Sequence, residues 1–206
     1  LTGAGGRAFC AGADLKEMTE RDQSQGQGTP QAAKSGSAKV TECLKPVIAA
    51  IDGYALAGGM QLSARCDIRI ATEDAILGLP EVQVGIPSVI EASLLPPTIG
   101  LGRARRMLLT GETVDASEAL AIGLVDRVVP ADKLMDVAYE TANTFVGMSR
   151  DVLASQKDIV AKWLELGEEE SASFTIKEFA RIFTTGAPRE GMTAFLEKRA
   201  PDFGDG

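Results

Sequence analysis

The alternation of short apolar strand-like runs with helix-like stretches predicts an α/β fold, closed at its C-terminal end by an appended helical element. Three observations carry that expectation. Residues 47–51 are a strand-length apolar run bounded by turn residues, and residues 67–71 (Asp-Ile-Arg-Ile-Ala) alternate like a strand. Glycine pairs or clusters stand where such runs give way to helical patterns. From Asp115 onwards helix signals dominate. Taken in order, Leu1-Thr2-Gly3 reads as the end of a strand whose beginning lies upstream, so the chain is expected to start in mid-fold. Residues 19–37, rich in Gln, Ser, Gly and Thr without apolar periodicity, read as a mobile loop. Val40, Cys43 and Leu44 form a short helical stripe that stops at Lys45-Pro46, because the residue before a proline is pushed out of the helical region. Residues 47–51 then make a buried-strand candidate between Pro46 and Asp52-Gly53. Gly58-Gly59 opens a helix through Gln61, Leu62 and Ala64 towards Cys66, and residues 67–71 and 75–79 supply two more strands. Gly85-Ile86-Pro87-Ser88 precedes an apolar helix over residues 90–95, and Asp115 and Ser149 are the expected N-caps further on. A boundary near Pro130 divides a core over residues 1–130 from a helical region over residues 131–206.

Composition narrows the chemistry. At 206 residues and 45% hydrophobic content the chain can bury a sizeable core. A formal net charge of −8 opposes a phosphate backbone and makes nucleic acid a poor partner. The basic cluster at Arg103, Arg105 and Arg106 fits a solvated helix face. There is no histidine, which removes Ser-His and Cys-His nucleophile pairs and most zinc sites, so any acid or base must be a carboxylate, Lys, Tyr or Cys. Cys10, Cys43 and Cys66 show no metal-ligand spacing and no disulfide framework, which fits an intracellular, reducing compartment and no metal. No apolar run reaches the roughly 18 residues a membrane span needs, so no membrane partner is expected.

Two glycine-rich segments carry the functional signal: Ala11-Gly12-Ala13-Asp14 and Ala57-Gly58-Gly59. Glycine permits close backbone approach, so two N–H groups can be aimed at one ligand oxygen. A dinucleotide site at Gly3-Ala4-Gly5 fails at the third glycine, where Ala8 stands, and Phe9-Cys10-Ala11-Gly12 does not continue as a helix. The surrounding stretches, residues 1–18 and 45–62, together with Leu79-Pro80-Glu81-Val82 and the closing run from Arg189 to Arg199, resemble the crotonase (enoyl-CoA hydratase/isomerase) superfamily. The resemblance implies a spiral of ββα turns, here without its N-terminal turns, and a C-terminal helical trimerisation region. It implies an acyl-CoA thioester substrate, an oxyanion hole from the N–H groups of Ala13 and Gly58, and coenzyme A as part of the substrate with no separate cofactor. It places Ala11, Asp14, Leu15 and Lys16 against the adenine and phosphates, with Phe195 and Lys198 as a second set of coenzyme A contacts, and residues 19–37 over the acyl pocket. A homotrimer or homohexamer is the implied assembly.

The catalytic candidates are Glu81, Gln61 and Glu91. In two-base hydratases of the superfamily a glutamate follows the second glycine motif and another follows a proline downstream. Here Glu81 keeps the second position, whereas Gln61 replaces the first with an amide that can hydrogen-bond water but cannot take its proton. A single carboxylate suffices for moving a double bond by removing a proton from one carbon and returning it two carbons away, so isomerisation is slightly favoured over hydration. Glu91, a lone charge among apolar residues, would gain from burial beside Val89 and Ile90 and could replace the missing carboxylate, or could pair with Arg103 or Arg106. A protein that binds acyl-CoA or serves assembly without catalysis is the reading from another class.

Overall fold

The computed structural model describes residues 1–20 and 36–204. The expected loop over residues 19–37 falls mostly outside them. The chain forms two compact units: residues 1–43 with 47–140, and residues 44–46 with 141–206.

In the first unit, strands β1 (Ala8–Cys10), β2 (Ile48–Ile51), β3 (Tyr54–Leu56), β4 (Ile68–Thr72), β5 (Ile76–Gly78), β6 (Thr113–Asp115) and β7 (Arg127–Val129) form two sheets. One has the order β1-β3-β5-β6, with β6 antiparallel, and the other the all-parallel order β2-β4-β7. Each turn of chain lays one strand in each sheet. Ile48 pairs with Ile68 in one sheet and Tyr54 with Ile76 in the other, so β4-β5 stacks directly on β2-β3. A corner at Asp52-Gly53 separates the two strands of a turn. Gly53 takes φ 66°, and a Cβ there would lie 2.4 Å from the Arg7 carbonyl oxygen, so only glycine lets the corner close against β1. Thr2 bridges Ala50 in parallel, as a strand end would.

Helices α1 (Leu15–Glu20), α2 (Gly36–Glu42), α3 (Gly58–Arg65), α4 (Leu95–Ile99), α5 (Leu101–Thr110), α6 (Ala116–Ala121) and the start of α7 (Leu134–Asn143) complete this unit. Its main core contains Phe9, Ile51, Met60, Leu77, Leu79, Leu95, Met107 and Leu124, all buried. A smaller cluster of Ala50, Ile70, Leu134 and Ala138 covers the outer face of the β2-β4-β7 sheet. The apolar helix expected over residues 90–95 is instead a 3₁₀ turn (Ile90–Leu94) followed by the short α4. Pro96 and Pro97 stand in the first turn of α4, where missing N–H groups cost nothing, and they end the preceding turn. Leu44, expected in the stripe with Val40, lies outside α2 and is exposed, while Val40 is buried. Asp115 caps α6 by accepting from the Glu118 N–H at 2.8 Å.

The second unit holds the end of α7 with α8 (Arg150–Glu165), α9 (Glu168–Ile182) and α10 (Ala187–Glu197). Ser149 caps α8 through the Val152 N–H. Ser155 of α8 donates to Glu178 of α9, which also accepts from Arg181. The tail after α10 is clamped back on it. Arg199 reaches both carboxylate oxygens of Glu190, at 2.6 and 3.1 Å, the Asp202 N–H donates to the same carboxylate, and Phe203 packs over Gly191. Among the described residues no helix is long and apolar enough to cross a membrane.

The Arg199 guanidinium, and after it the Asp202 N–H, hold the Glu190 carboxyl at about 2, below its ordinary 4.5. A carboxylate whose folded value is depressed stabilises the fold fully above its unfolded value, so this clamp's contribution is complete above pH ~4.5 and lost as pH falls towards ~2. Carboxyl-carbon NMR should show Glu190 titrating near 2, and moving back towards 4.5 in Arg199→Met.

Candidate functional site

The two glycine-rich segments meet backbone to backbone. A Cβ on Gly59 would lie 1.9 Å from the carbonyl oxygen of Cys10, and one on Gly12 would lie 2.9 Å from the Ala57 Cβ and 3.4 Å from the Gly58 nitrogen. The first turn of α3 is therefore pressed onto the end of β1 and the bend that follows it. Ala57 turns the chain into α3 with φ 51° and ψ −124°, a conformation that L-residues rarely adopt and that costs about 1–3 kcal/mol. Its own N–H is taken by the Gly78 carbonyl at 3.0 Å. No side chain caps α3, and among the described residues none accepts the N–H of Gly58 or of Ala13. The Gly58 N–H, in the first turn of α3 at the positive end of its dipole, can hydrogen-bond an anionic oxygen.

One turn into α3, Gln61 is buried and its Nε2 donates to Oε1 of Glu81 at 3.1 Å. Glu81 sits in the 3₁₀ turn Pro80–Val84, which Pro80 starts and Gly85 ends in a left-handed conformation, with the Ile86 N–H bonded back to the Glu81 carbonyl. Gln83 of the same turn is tied to the end of α5 through the Gly111 carbonyl at 2.9 Å. The carboxylate is thus set by its turn and by Gln61. Four buried side-chain polar atoms among the described residues have no hydrogen-bond partner, and two of them, Glu81 Oε2 and Ser88 Oγ, belong to this stretch. Such clustering marks a place where a ligand's polar atoms belong.

Glu91 is buried, and its carboxylate faces Arg65 of α3, Nε to Oε1 3.8 Å. The alternative pairing with Arg103 or Arg106 is not the one formed. All three arginines of that cluster are exposed, and Arg106 binds Glu112 at 2.6 Å. Ala11, Ala13, Asp14, Leu15 and Lys16 are exposed beside Gly12. Asp14 also caps α1, accepting from the Lys16 N–H at 2.8 Å. Phe195 and Lys198 lie in the second unit, the first exposed near the end of α10 and the second, with φ 54°, just past it. A depression lined by Leu166, Glu169, Glu170, Ser173, Phe174 and Lys177 of the second unit contains none of these candidates. Among the described residues no group of three or more Cys, Asp or Glu is placed to hold a metal ion.

Sequence reasoning did not single out Arg65, the strained backbone of Ala57 or the buried hydroxyl of Ser88. Arg65 had a usable signal, since it stands four residues after Gln61 on the same helical face. Positive φ at an alanine and an unpartnered serine hydroxyl have none.

The family model described as enoyl-CoA hydratase/isomerase matches residues 1–206. The chain belongs to the enoyl-CoA hydratase/isomerase family. It is 36% identical over 200 residues to the "Short-chain-enoyl-CoA hydratase" of Clostridium acetobutylicum, covering 97% of this chain and 77% of that protein. It is 40% identical over 204 residues to the "Probable enoyl-CoA hydratase echA8" of Mycobacterium tuberculosis, covering 98% and 78%. The crystal structure of an enoyl-CoA hydratase from Bacillus anthracis superposes with a TM-score of 0.90 at 36% identity, covering 98% of this chain and 79% of that one. Two stacked sheets of ββα turns are thus the crotonase-type fold of the enoyl-CoA hydratase/isomerase family.

Gly59→Ala should destabilise the protein by roughly 3 kcal/mol or more in urea unfolding, because the new methyl collides with β1 backbone that has no room to move. A loss under about 1 kcal/mol would show that α3 can withdraw from β1 cheaply.

Proposed function

We propose that the chain acts on an enoyl thioester of coenzyme A, polarising the thioester carbonyl between the N–H groups of Ala13 and Gly58 and moving protons with Glu81. The observation that carries this reading is the Gln61–Glu81 hydrogen bond, which occupies one carboxylate oxygen, leaves Oε2 buried and unpartnered, and ties Glu81 to the helix that Gly58 opens. In one-base isomerisation, Glu81 Oε2 takes a proton from C2 of a 3-enoyl thioester. The C–H pair becomes an enolate held by the two amides, and the same oxygen returns the proton to C4 as the double bond moves to C2–C3. Ala11, Asp14, Leu15 and Lys16 would contact the adenine and phosphates; Phe195 and Lys198 of the second unit are proposed coenzyme A contacts in their own right. Coenzyme A enters only as part of the substrate, with no metal or redox cofactor.

Hydration of a 2-enoyl thioester is the second reading. The buried position of Glu91 favours it, as do the hydratase names of the relatives in Clostridium acetobutylicum and Mycobacterium tuberculosis. We also propose a homotrimer or homohexamer. The exposure of Trp163, Ile176, Phe179, Phe195 and Leu196 in the second unit leaves apolar area for such an assembly to cover. Cys10, Cys43 and Cys66 form no disulfide, which fits a reducing intracellular compartment.

Glu81→Gln should lower turnover of a 3-enoyl-CoA in D₂O by about 10²- to 10⁴-fold while leaving coenzyme A binding in place, measured by mass spectrometry and calorimetry. Unchanged turnover would remove Glu81 from the mechanism. Binding without any turnover in the unsubstituted protein would favour the non-catalytic acyl-CoA-binding subunit instead.

A further inference from the structure

We infer that Glu91, positioned by Arg65, is a second carboxylate of this site and takes the proton of an attacking water. The inference rests on the enoyl-thioester reading above. Three functional positions follow one another along α3: the free N–H of Gly58, then Gln61 bound to Glu81, then Arg65 facing Glu91. Gln61 and Arg65 are four residues apart, so they share a face and are separated by about 6 Å along the axis. Each holds a carboxylate that arrives from the segment after β5, and the 3₁₀ turn bearing Glu91 packs on α3. In the proposed pose the thioester carbonyl oxygen rests on the Gly58 N–H, and C2 and C3 lie along this face of α3.

The surroundings of Glu91 suit it to this part. Its Oε1 lies 3.8 Å from Arg65 Nε, and its side chain is only 7% exposed. Among the described residues the group facing its carboxylate is the Arg65 guanidinium. Three residues earlier in the chain, Ser88 Oγ is buried and has no hydrogen-bond partner. Gln61 cannot accept water's proton, so the base that its position lacks is supplied from one helical turn further along α3.

In the step that follows, the Glu91 carboxylate takes one proton from water while the water oxygen bonds to C3 of a 2-enoyl thioester. The C2–C3 π pair moves into the enolate held by Ala13 and Gly58. Glu81, in its carboxyl form with Oε1 still held by Gln61, gives the Oε2 proton to C2 as the carbonyl reforms. The net change is H and OH added across C2–C3, and exchange with solvent returns Glu91 and Glu81 to their starting forms.

The test measures hydration of 2-butenoyl-CoA and isomerisation of 3-hexenoyl-CoA by the full chain and by Glu91→Gln, Arg65→Gln and Arg65→Lys, each checked by thermal unfolding. The expected result is formation of 3-hydroxybutanoyl-CoA by the unsubstituted protein and a fall in hydration kcat of about 100-fold or more in Glu91→Gln, with the hydration-to-isomerisation ratio falling alongside. Arg65→Gln should lower hydration kcat roughly 10- to 100-fold with little change in KM, and Arg65→Lys should recover most of it, which a purely structural arginine would not produce. Should Glu91→Gln fail to fold, the Arg65 pair and the unsubstituted protein still decide. Isomerisation without hydration in the unsubstituted protein, or hydration untouched by these substitutions, would overturn the assignment and leave the one-base reading standing. Absence of both activities would overturn the enoyl-thioester reading itself.

Discussion

The contact on which the rest of the site depends is the one between two backbones: the first turn of α3 lies so close to the end of β1 that a methyl on Gly59 would overlap the Cys10 carbonyl. Interiors are close-packed and yield little, so this approach exists only because no side chain stands in it. It sets Gly12 against Ala57 and Gly58 and starts α3 at a fixed place. Every later group is then measured along that helix, with Gln61 reaching Glu81 and Arg65 reaching Glu91. The two-sheet stack serves the same end. The β3-β5 pairing carries the Gly78 carbonyl to the Ala57 N–H and so anchors the turn from which α3 begins.

The region also concentrates arrangements that a chain folding for stability alone would avoid. Ala57 holds positive φ, the α3 N-terminus has no side-chain cap, Glu81 Oε2 and Ser88 Oγ are buried without partners, and Glu91 is buried against one distant cation. Each costs free energy in the unliganded fold, and together they are offset by a core of fully buried Ile51, Met60, Leu77 and Leu79 next to them. A ligand with one oxygen for the amides and polar atoms along α3 would relieve several of these costs at once, and that is the sense in which the site is preorganised.

Much of the architecture was legible because it depends on local patterns. The strands at Ile48–Ile51 and Ile68–Thr72, the helix opening at Gly58, and the caps at Asp115 and Ser149 follow from apolar runs, glycine and capping chemistry. Strands β1, β3, β6 and β7 were not placed from sequence. Each is three residues long, too short for a period-2 pattern, and exists because a neighbouring strand offers its edge. The stacking of turns was equally hidden: its repeat is geometric, with Ile48 over Ile68 and Tyr54 over Ile76, and carries no repeated sequence. Glu91 was recognised as anomalous but not its partner, because Arg65 and Arg103 or Arg106 are equivalent as charges and only the packing of the 3₁₀ turn on α3 chooses between them.

By itself the sequence determined the chemical inventory: no histidine, a Gln where a second glutamate could stand, one Glu after a proline, and glycines at the two positions that must approach closely. Those are properties of single residues and short windows, and no fold can add to them. Tertiary structure alone decided which of these groups act on one another, since residues 12 and 58, 61 and 81, and 65 and 91 are brought together by strand pairing and helix packing across long stretches of chain. It also decided which polar atoms are left without partners. Satisfaction of a buried hydrogen bond depends on what surrounds it in space, and the residue's own place in the chain does not encode that.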